Sequence, residues 1–236
     1  MKPRCILFTL LAAVVLALSL VVSTAQTVIA PSGRHVAREP IEWIRLWLSN
    51  VNKQGLPQVL LIGDSITAAY YDDVARDLKG KAYVGYFASS LSVGDPMLPK
   101  QIALLLRNYK FDVIHFNNGL HGRDYSEEEY ARYFPQYVKA IQANARGARL
   151  IWANSTPVRM GKRMSELDPW TKRVAARNKI ADADARKRGI PIDDLYAVVL
   201  NHPEYYVGVD DAHPNAEGKA AEARAVAASM LKALGK

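Results

Sequence analysis

Cysteine is almost absent from this sequence. The 236 residues contain one, Cys5, which lies near the start of the chain. If that start is removed as a leader, the remaining chain has no disulfide, no thiol nucleophile and no thiolate metal site. The sequence also has no internal repeat and no low-complexity tract, and it shows no sign of a second domain. The sequence therefore predicts one domain that is held together by its apolar core alone.

The first 25 residues have the pattern of a secretory signal peptide. MKPRC is short and basic, ILFTLLAAVVLALSLVV is an unbroken apolar run, and Ser23 and Ala25 supply small residues at its exit. We expect cleavage after Ala25, a linker over residues 26–39 and a domain over residues 40–236. The alternative is an uncleaved N-terminal anchor, because this run is at the short edge of what spans a bilayer.

The charge of the chain is modestly basic. The net charge is +8, and removal of Lys2 and Arg4 with the leader leaves 29 basic against 23 acidic residues, or +6. A solvated basic face explains this excess better than a surface for an anionic polysaccharide. A periplasmic or extracellular location excludes nucleic acid as a partner, and a cleaved leader leaves no stable membrane partner.

Short β-rich runs alternate with helical patterns along the domain. This alternation is typical of βαβ units, in which helices cover both faces of a parallel sheet. The predicted fold class is α/β, a three-layer α/β/α sandwich with a five-stranded, mostly parallel sheet. The predicted strands lie within residues 57–63, 82–87, 111–116, 148–153 and 189–194. The predicted helices lie near residues 66–79, 97–109, 126–141 and 169–188, and from Pro214 onward.

Two of the helical patterns have distinct local signals. In EPIEWIRLWLSNV, the apolar residues Ile41, Ile44, Trp47 and Leu48 form a helical stripe. In SEEE, a serine followed three residues later by a glutamate is a capping box, which predicts a helix beginning after Ser126.

Polar segments follow the predicted strands, where a parallel sheet binds its ligands. GDSIT follows the first strand, and its Ser65 stands at a helix entrance where unpaired backbone N–H groups favour a developing anion. A plain N-cap at Asp64 or Ser65 is the alternative. In DDAHPN, Asp210 and His213 lie three residues apart before the last helix. That spacing lets a carboxylate orient an imidazole that serves a serine.

These blocks, in this order, resemble those of the SGNH (GDSL) hydrolase family over about residues 40–236. The family has a flavodoxin-like α/β fold, contains esterases and related acyl hydrolases or transferases, and uses no metal or organic cofactor. The resemblance implies that Ser65 is the nucleophile, His213 the base and Asp210 its orienting carboxylate. It also implies that Ser65 and Gly94, in SVGD, give backbone N–H groups to an oxyanion hole.

The third block, NNGLHG, departs from the family pattern Gly-x-Asn-Asp. His121 stands where the family has the asparagine that donates to the oxyanion, and Gly122 replaces the aspartate. An imidazole N–H can supply that donor. The alternatives are a donor from Asn117 or Asn118, with His121 as a support, or a weakened site.

The other histidines and the pocket wall give weaker signals. His115 is expected to be a half-buried strand residue that pairs with a neighbour, and no set of residues is spaced as a metal site. Trp170 is a candidate to stack on a sugar, with packing against its own helix as the alternative. Candidates for lining the substrate pocket are Asp64, Tyr70, Asn118 and Asn154. Candidates for meeting an anionic or sugar substrate are Arg159, Lys162 and Arg163.

The predicted function is an exported serine esterase that removes short acyl groups, with acetyl favoured, from a carbohydrate. Its expected partner is a small acyl ester or an acetylated glycan. Two alternatives stay open: a cell-envelope glycan O-acyltransferase that uses the same serine, and a non-catalytic glycan-binding domain, which the altered third block suggests.

Overall fold

The computed structural model describes residues 28–29, 35–36, 38–161, 163–207 and 212–236. The predicted leader, Lys162 and Asp210 lie outside these ranges. No helix in the described ranges is long and apolar enough to cross a membrane. The strands are β1 Val28–Ile29, β2 His35–Val36, β3 Ile44–Leu48, β4 Gln58–Gly63, β5 Tyr83–Ser89, β6 Val113–Phe116, β7 Arg149–Ala153, β8 Arg159–Met160, β9 Arg163–Leu167 and β10 Ile192–Asp193. The α-helices are α1 Ser65–Asp77, α2 Met97–Asn108, α3 Glu127–Asn144, α4 Trp170–Lys187, α5 Leu195–Leu200 and α6 Ala216–Leu234, and Pro203–Tyr206 forms a 3-10 helix.

A six-stranded sheet in the order β10-β7-β6-β4-β5-β3 forms the centre of the molecule. Its pairs are parallel except for β3, which runs antiparallel to β5 at one edge. β4 lies in the interior of the sheet and is apolar on both faces, as buried parallel strands are. The predicted class and mostly parallel sheet are confirmed, with six strands instead of five.

Helices cover both faces of this sheet. Leu60 and Ile62 of β4 face a core formed with α2, α3 and α4. Val59 and Leu61, on the opposite side of the same strand, face a core formed with α1, α5 and α6. This alternation along one strand produces the predicted three layers.

The helix predicted for EPIEWIRLWLSNV is wrong. Residues 44–48 form β3, whose backbone pairs with β5 from Ile44 opposite Ser89 to Leu48 opposite Gly85. The segment also has a period of two: Ile44 and Leu46 line a groove against α2, and Leu48 packs against the core. Pairing with an open sheet edge therefore outweighs a helical pattern that is only two turns long.

Several smaller elements were not predicted. The segment after β7, expected as a loop, contains an antiparallel pair of β8 and β9, and a two-residue pairing of β1 and β2 lies in the predicted linker. The predicted capping box is confirmed, since the Ser126 hydroxyl accepts from the Glu129 N–H and the Glu129 carboxylate accepts from the Ser126 N–H.

Candidate active site

The turn between β4 and α1 presents Ser65 at the carboxyl edge of the sheet. Asp64 is the N-cap of α1, and its carboxylate accepts from the Ile66 N–H at 3.0 Å. A glycine is required at position 63 because the backbone there lies close to Thr67, and a Cβ would overlap the Thr67 hydroxyl oxygen. Ser65 is therefore the first residue of the helix, and its own N–H is one of the amides that has no acceptor within the helix.

His213 reaches Ser65 from the far end of the chain. Its Nε2 lies 2.7 Å from Ser65 Oγ. The loop that carries it is fixed by the next residues, because the Asn215 N–H donates to the Tyr205 carbonyl and Gly218 packs so closely on Tyr205 and Pro214 that a Cβ would collide with both. The serine and imidazole are thus within hydrogen-bonding distance, as a nucleophile and its base must be.

His121 has a carboxylate partner from the N-terminal segment. Its Nδ1 lies 2.6 Å from Oε1 of Glu39. Burial of the ring lowers the pKa of His121, but the hydrogen bond to Glu39 and the charges of Asp64, Glu39 and Glu42 outweigh it, so the pKa lies above its ordinary value. The same hydrogen bond, with help from Arg123, lowers the pKa of Glu39. Both shifts favour a charged pair.

A cavity of 520 Å³ brings the two histidines and the serine together. Its wall exposes more apolar than polar surface, carries several charged side chains, and combines the N-terminal segment, the loop after β6 and the His213 loop. The described residues that line it are Arg38, Glu39, Pro40, Ser65, Leu120, His121, Gly122, Arg123, Asp124, Ala212 and His213.

Arg177 of α4 holds the loop that carries His121. The guanidinium is fully buried and donates to the carbonyl oxygens of Gly119, His121, Gly122 and Tyr125, at 2.8 to 3.2 Å. It also lies over the rings of Tyr125, Tyr130 and Trp170. One side chain therefore satisfies the backbone acceptors of a tight loop that has no regular secondary structure.

The two asparagines of the third block bond to the protein interior. Asn117 donates through Nδ2 to the Ala153 carbonyl at 2.7 Å and to the Ser155 hydroxyl at 3.1 Å. Asn118 donates to the Leu91 carbonyl at 2.8 Å. Both side chains are buried and neither lines the cavity, which disfavours an asparagine as the oxyanion donor.

None of the four residues predicted to line the substrate pocket is among the residues that line this cavity, so that role stays a prediction. Asp64 caps α1, and the buried Tyr70 hydroxyl lies 3.1 Å from that of Thr67. Asn118 is buried as described, and Asn154 bridges the Asp194 carboxylate and the Tyr196 N–H. Asp64 and Tyr70 thus bond within α1 and its cap, whereas Asn118 and Asn154 bond to neighbouring segments of the chain.

Two of the residues proposed to meet a sugar, Arg159 and Trp170, are placed away from the cavity, and the side chains of Lys162 and Arg163 lie outside the part of the chain that the structure describes. Arg159 is buried, donates to the Val199 carbonyl and lies over the ring of Tyr206. Trp170 is buried against Val158 and Val174, which agrees with its packing alternative. Gly94 packs against the rings of Tyr125 and Tyr133 and does not line the cavity, so its donor role stays a prediction.

His115 is fully buried within β6 and not half-buried as predicted, and its Nε2 lies 3.0 Å from Asp193 Oδ2, so the expected pairing is confirmed. Within the described ranges, no three His, Cys, Asp or Glu residues are grouped so that they would hold a metal ion.

Two important residues were missed at the level of sequence. Glu39 lies in the predicted linker, 82 positions from His121, and no local pattern links them. Arg177 did carry a signal, because it occupies the apolar stripe of α4 with Trp170, Val174 and Ala181. A charged residue on a buried stripe is a candidate for an internal hydrogen-bonding role.

An α/β sandwich that places a hydrogen-bonded serine and histidine in a cavity at the carboxyl edge of its sheet has the architecture of a serine hydrolase. A family model matches residues 61–221, and the chain belongs to the GDSL-like lipase/acylhydrolase family. The predicted SGNH (GDSL) resemblance is thereby confirmed, and the protein is a carboxylic ester hydrolase. No curated protein matches the sequence.

Several solved structures have a similar fold. An aryl esterase of M. smegmatis has a TM-score of 0.61 at 14% identity, covering 75% of this chain and 99% of that chain. The acetylxylan esterase Axe2 of Geobacillus stearothermophilus has a TM-score of 0.56 at 18% identity, with 76% and 94% covered. A GDSL-like lipase of Bacteroides thetaiotaomicron has a TM-score of 0.56 at 17% identity, with 75% and 89% covered.

Proposed function

We propose that this protein is an exported esterase that removes acetyl or similarly short acyl groups from a carbohydrate. In this proposal Ser65 is the nucleophile, His213 the base and Asp210 the carboxylate that orients His213. The observation that carries the proposal is the 2.7 Å approach of His213 Nε2 to Ser65 Oγ at an open cavity. It also argues against the non-catalytic alternative, which has no use for that pair.

The reaction proceeds in two displacements. The Ser65 oxygen adds to the ester carbonyl carbon as its proton passes to His213, and the carbonyl electron pair becomes an oxyanion. The Ser65 N–H and His121 stabilise that oxyanion. When the intermediate collapses, the bond to the alcohol breaks, the alcohol takes the proton from His213, and the acyl group stays on Ser65. Water then repeats the sequence and releases the acid.

The cavity wall supports a polar substrate with a small acyl group. Three of its lining residues, Pro40, Leu120 and Ala212, are apolar, whereas Arg38, Arg123 and Asp124 offer charged hydrogen-bonding groups. A sugar hydroxyl needs such partners, and a long acyl chain needs an apolar groove. Export is supported by the pattern of residues 1–25 alone, and these lie outside the described residues.

Hydrolysis of p-nitrophenyl esters tests the proposal. We expect the purified protein to cleave the acetate ester faster than the octanoate, and the Ser65→Ala variant to lose this activity. His213→Ala is expected to fall nearly as far, since members of one catalytic unit are not additive. Equal rates for wild type and Ser65→Ala refute the nucleophile assignment. A panel of acetylated and deacetylated xylans then tests the carbohydrate, with acetate release as the readout.

A further inference from the structure

The hydrogen bond between Glu39 and His121 restricts the protonation state of the His121 ring. An ionised carboxylate only accepts hydrogen bonds, so Nδ1, at 2.6 Å from Glu39 Oε1, must carry a proton. In a neutral ring the proton on Nδ1 leaves a lone pair on Nε2. Such a ring would turn the Nε2 lone pair toward the oxyanion, and the lone pair and the oxyanion would repel each other. A donor at Nε2 requires the second proton.

We propose that Glu39 is a positioning residue that holds His121 as an imidazolium, whose Nε2–H then stabilises the oxyanion on the substrate carbonyl. This inference rests on the proposed function. It assigns to the site two histidine–carboxylate pairs with opposite duties: His213 works as a neutral base, and His121 works as a cation that transfers no proton. A charged donor forms a hydrogen bond about twice as strong as a neutral one.

The surroundings of His121 fit a cationic ring. The His121 side chain is 13% exposed, and it lines the cavity that Ser65 and His213 also line. Three carboxylates raise its pKa, and Glu39 among them is in direct contact. Arg177 donates to the His121 carbonyl, which fixes the backbone without touching the ring. Among the described residues, the charged and titratable groups that face this loop and its cavity include Arg38, Glu39, Glu42, Asp64, Arg123, Asp124, Tyr125, Tyr130, Arg173, Arg177 and His213.

The consequence is an alkaline limb in the pH profile of activity. Activity falls at high pH as His121 loses its proton and the oxyanion donor becomes an acceptor. Removing one oxyanion donor costs about 100- to 1000-fold in rate, so the alkaline limb is expected to be deep.

The test is the pH profile of kcat/KM for p-nitrophenyl acetate up to about pH 10, read at a wavelength independent of p-nitrophenol ionisation. Glu39→Gln removes the charge while keeping the side-chain size, and we expect its alkaline limb to move about one to three pH units toward acid. His121→Asn restores a donor that does not titrate in this range, and its alkaline limb is expected to vanish. Asp124→Asn is the matched control, since it removes a carboxylate from the same cavity wall, and its limb is expected to stay within about 0.5 unit.

A second readout does not depend on turnover. With histidine labelled at ¹³Cε1, the signal that is lost in His121→Asn identifies His121. Its titration midpoint in the wild-type protein is expected to coincide with the alkaline limb and to fall in Glu39→Gln. A missing alkaline limb in wild type, a limb that persists in His121→Asn, or an unmoved His121 midpoint in Glu39→Gln overturns the inference.

Ser65→Ala separates this inference from the proposed function. If Ser65→Ala keeps the wild-type rate, the proposed function fails whatever the profile shows. If Ser65→Ala is inactive and the profile of Glu39→Gln matches wild type, only the role of Glu39 fails.

Discussion

Replacing Arg177 by methionine tests how the loop that carries His121 is held. Methionine keeps much of the length and helix propensity of arginine but removes the charge and every donor. Four carbonyl oxygens, those of Gly119, His121, Gly122 and Tyr125, then lose their partner inside the protein. Breaking a buried charged network of this kind costs about 3–5 kcal/mol. For a chain of this size that corresponds to a fall in Tm of roughly 6–20 °C.

The matched control is on the same helix. Arg186 is 69% exposed, and its ion pair with Asp182 is long, at 3.8 Å. Arg186→Met is expected to change stability by less than about 1 kcal/mol, because exposed ion pairs contribute little. Thermal unfolding followed by circular dichroism measures both variants.

The activity of Arg177→Met is measured well below its Tm. We expect kcat/KM for p-nitrophenyl acetate to fall about 100-fold, since a displacement of about 1 Å at a catalytic group has an effect of this size. If Arg177→Met melts within about 3 °C of Arg186→Met and keeps its activity, the loop is held by other contacts and the reasoning is refuted.

Three further predictions concern Glu222, Gly63 and Asp210. Burial, with the charge of Asp64 adding to it, raises the pKa of Glu222 well above its usual range, so the native state keeps a proton that the unfolded state loses. The stability of the wild-type protein should therefore fall as pH rises from the pKa of Glu222 in the unfolded state, about 4.3, toward its pKa in the folded state. Over the same pH range, the Tm of Glu222→Gln should rise relative to the Tm of wild type. A Tm difference that does not change with pH contradicts this. Gly63→Ala should reduce esterase activity at least tenfold, because the new Cβ displaces Thr67 and the start of α1, and wild-type kinetics would contradict it. Asp210→Asn should lower kcat far more than it raises KM, and an unchanged kcat would remove Asp210 from the proposed triad.

Local signals in the sequence were sufficient for most of the fold. The capping box of Ser126 and Glu129 predicted the start of α3, because all of its hydrogen bonds lie within three residues. The apolar run of β4 predicted a buried central strand, because an apolar run is also a local signal in the sequence. β3 was predicted wrongly because its structure depends on an open edge of β5, which no window around residue 44 contains.

Only those residues of the site that belong to a sequence motif could be predicted. GDSIT and DDAHPN pointed to Ser65 and His213, which the structure brings to 2.7 Å. The pocket wall was not predictable. Asn118 and Asn154 have the residue type of a binding group, but the loops use their amides to satisfy buried backbone and carboxylate partners. Glu39 belongs to the cavity wall because it is hydrogen-bonded to His121, which lies 82 positions away in the sequence. Composition and periodicity do not reveal a contact between residues so far apart.

The span of the contacts at the site has a consequence for how the enzyme matures. Ser65 and His213 are 148 positions apart, and the His213 loop is fixed by the packing of α6 against Tyr205. Contacts of such long range form late, because the chain must close a large loop before they are made. A chain emerging from the ribosome can therefore complete β4, β5 and β6 before His213 is able to reach Ser65. During refolding, recovery of esterase activity should lag behind recovery of the helical signal, so that catalysis reports the docking of the last helix.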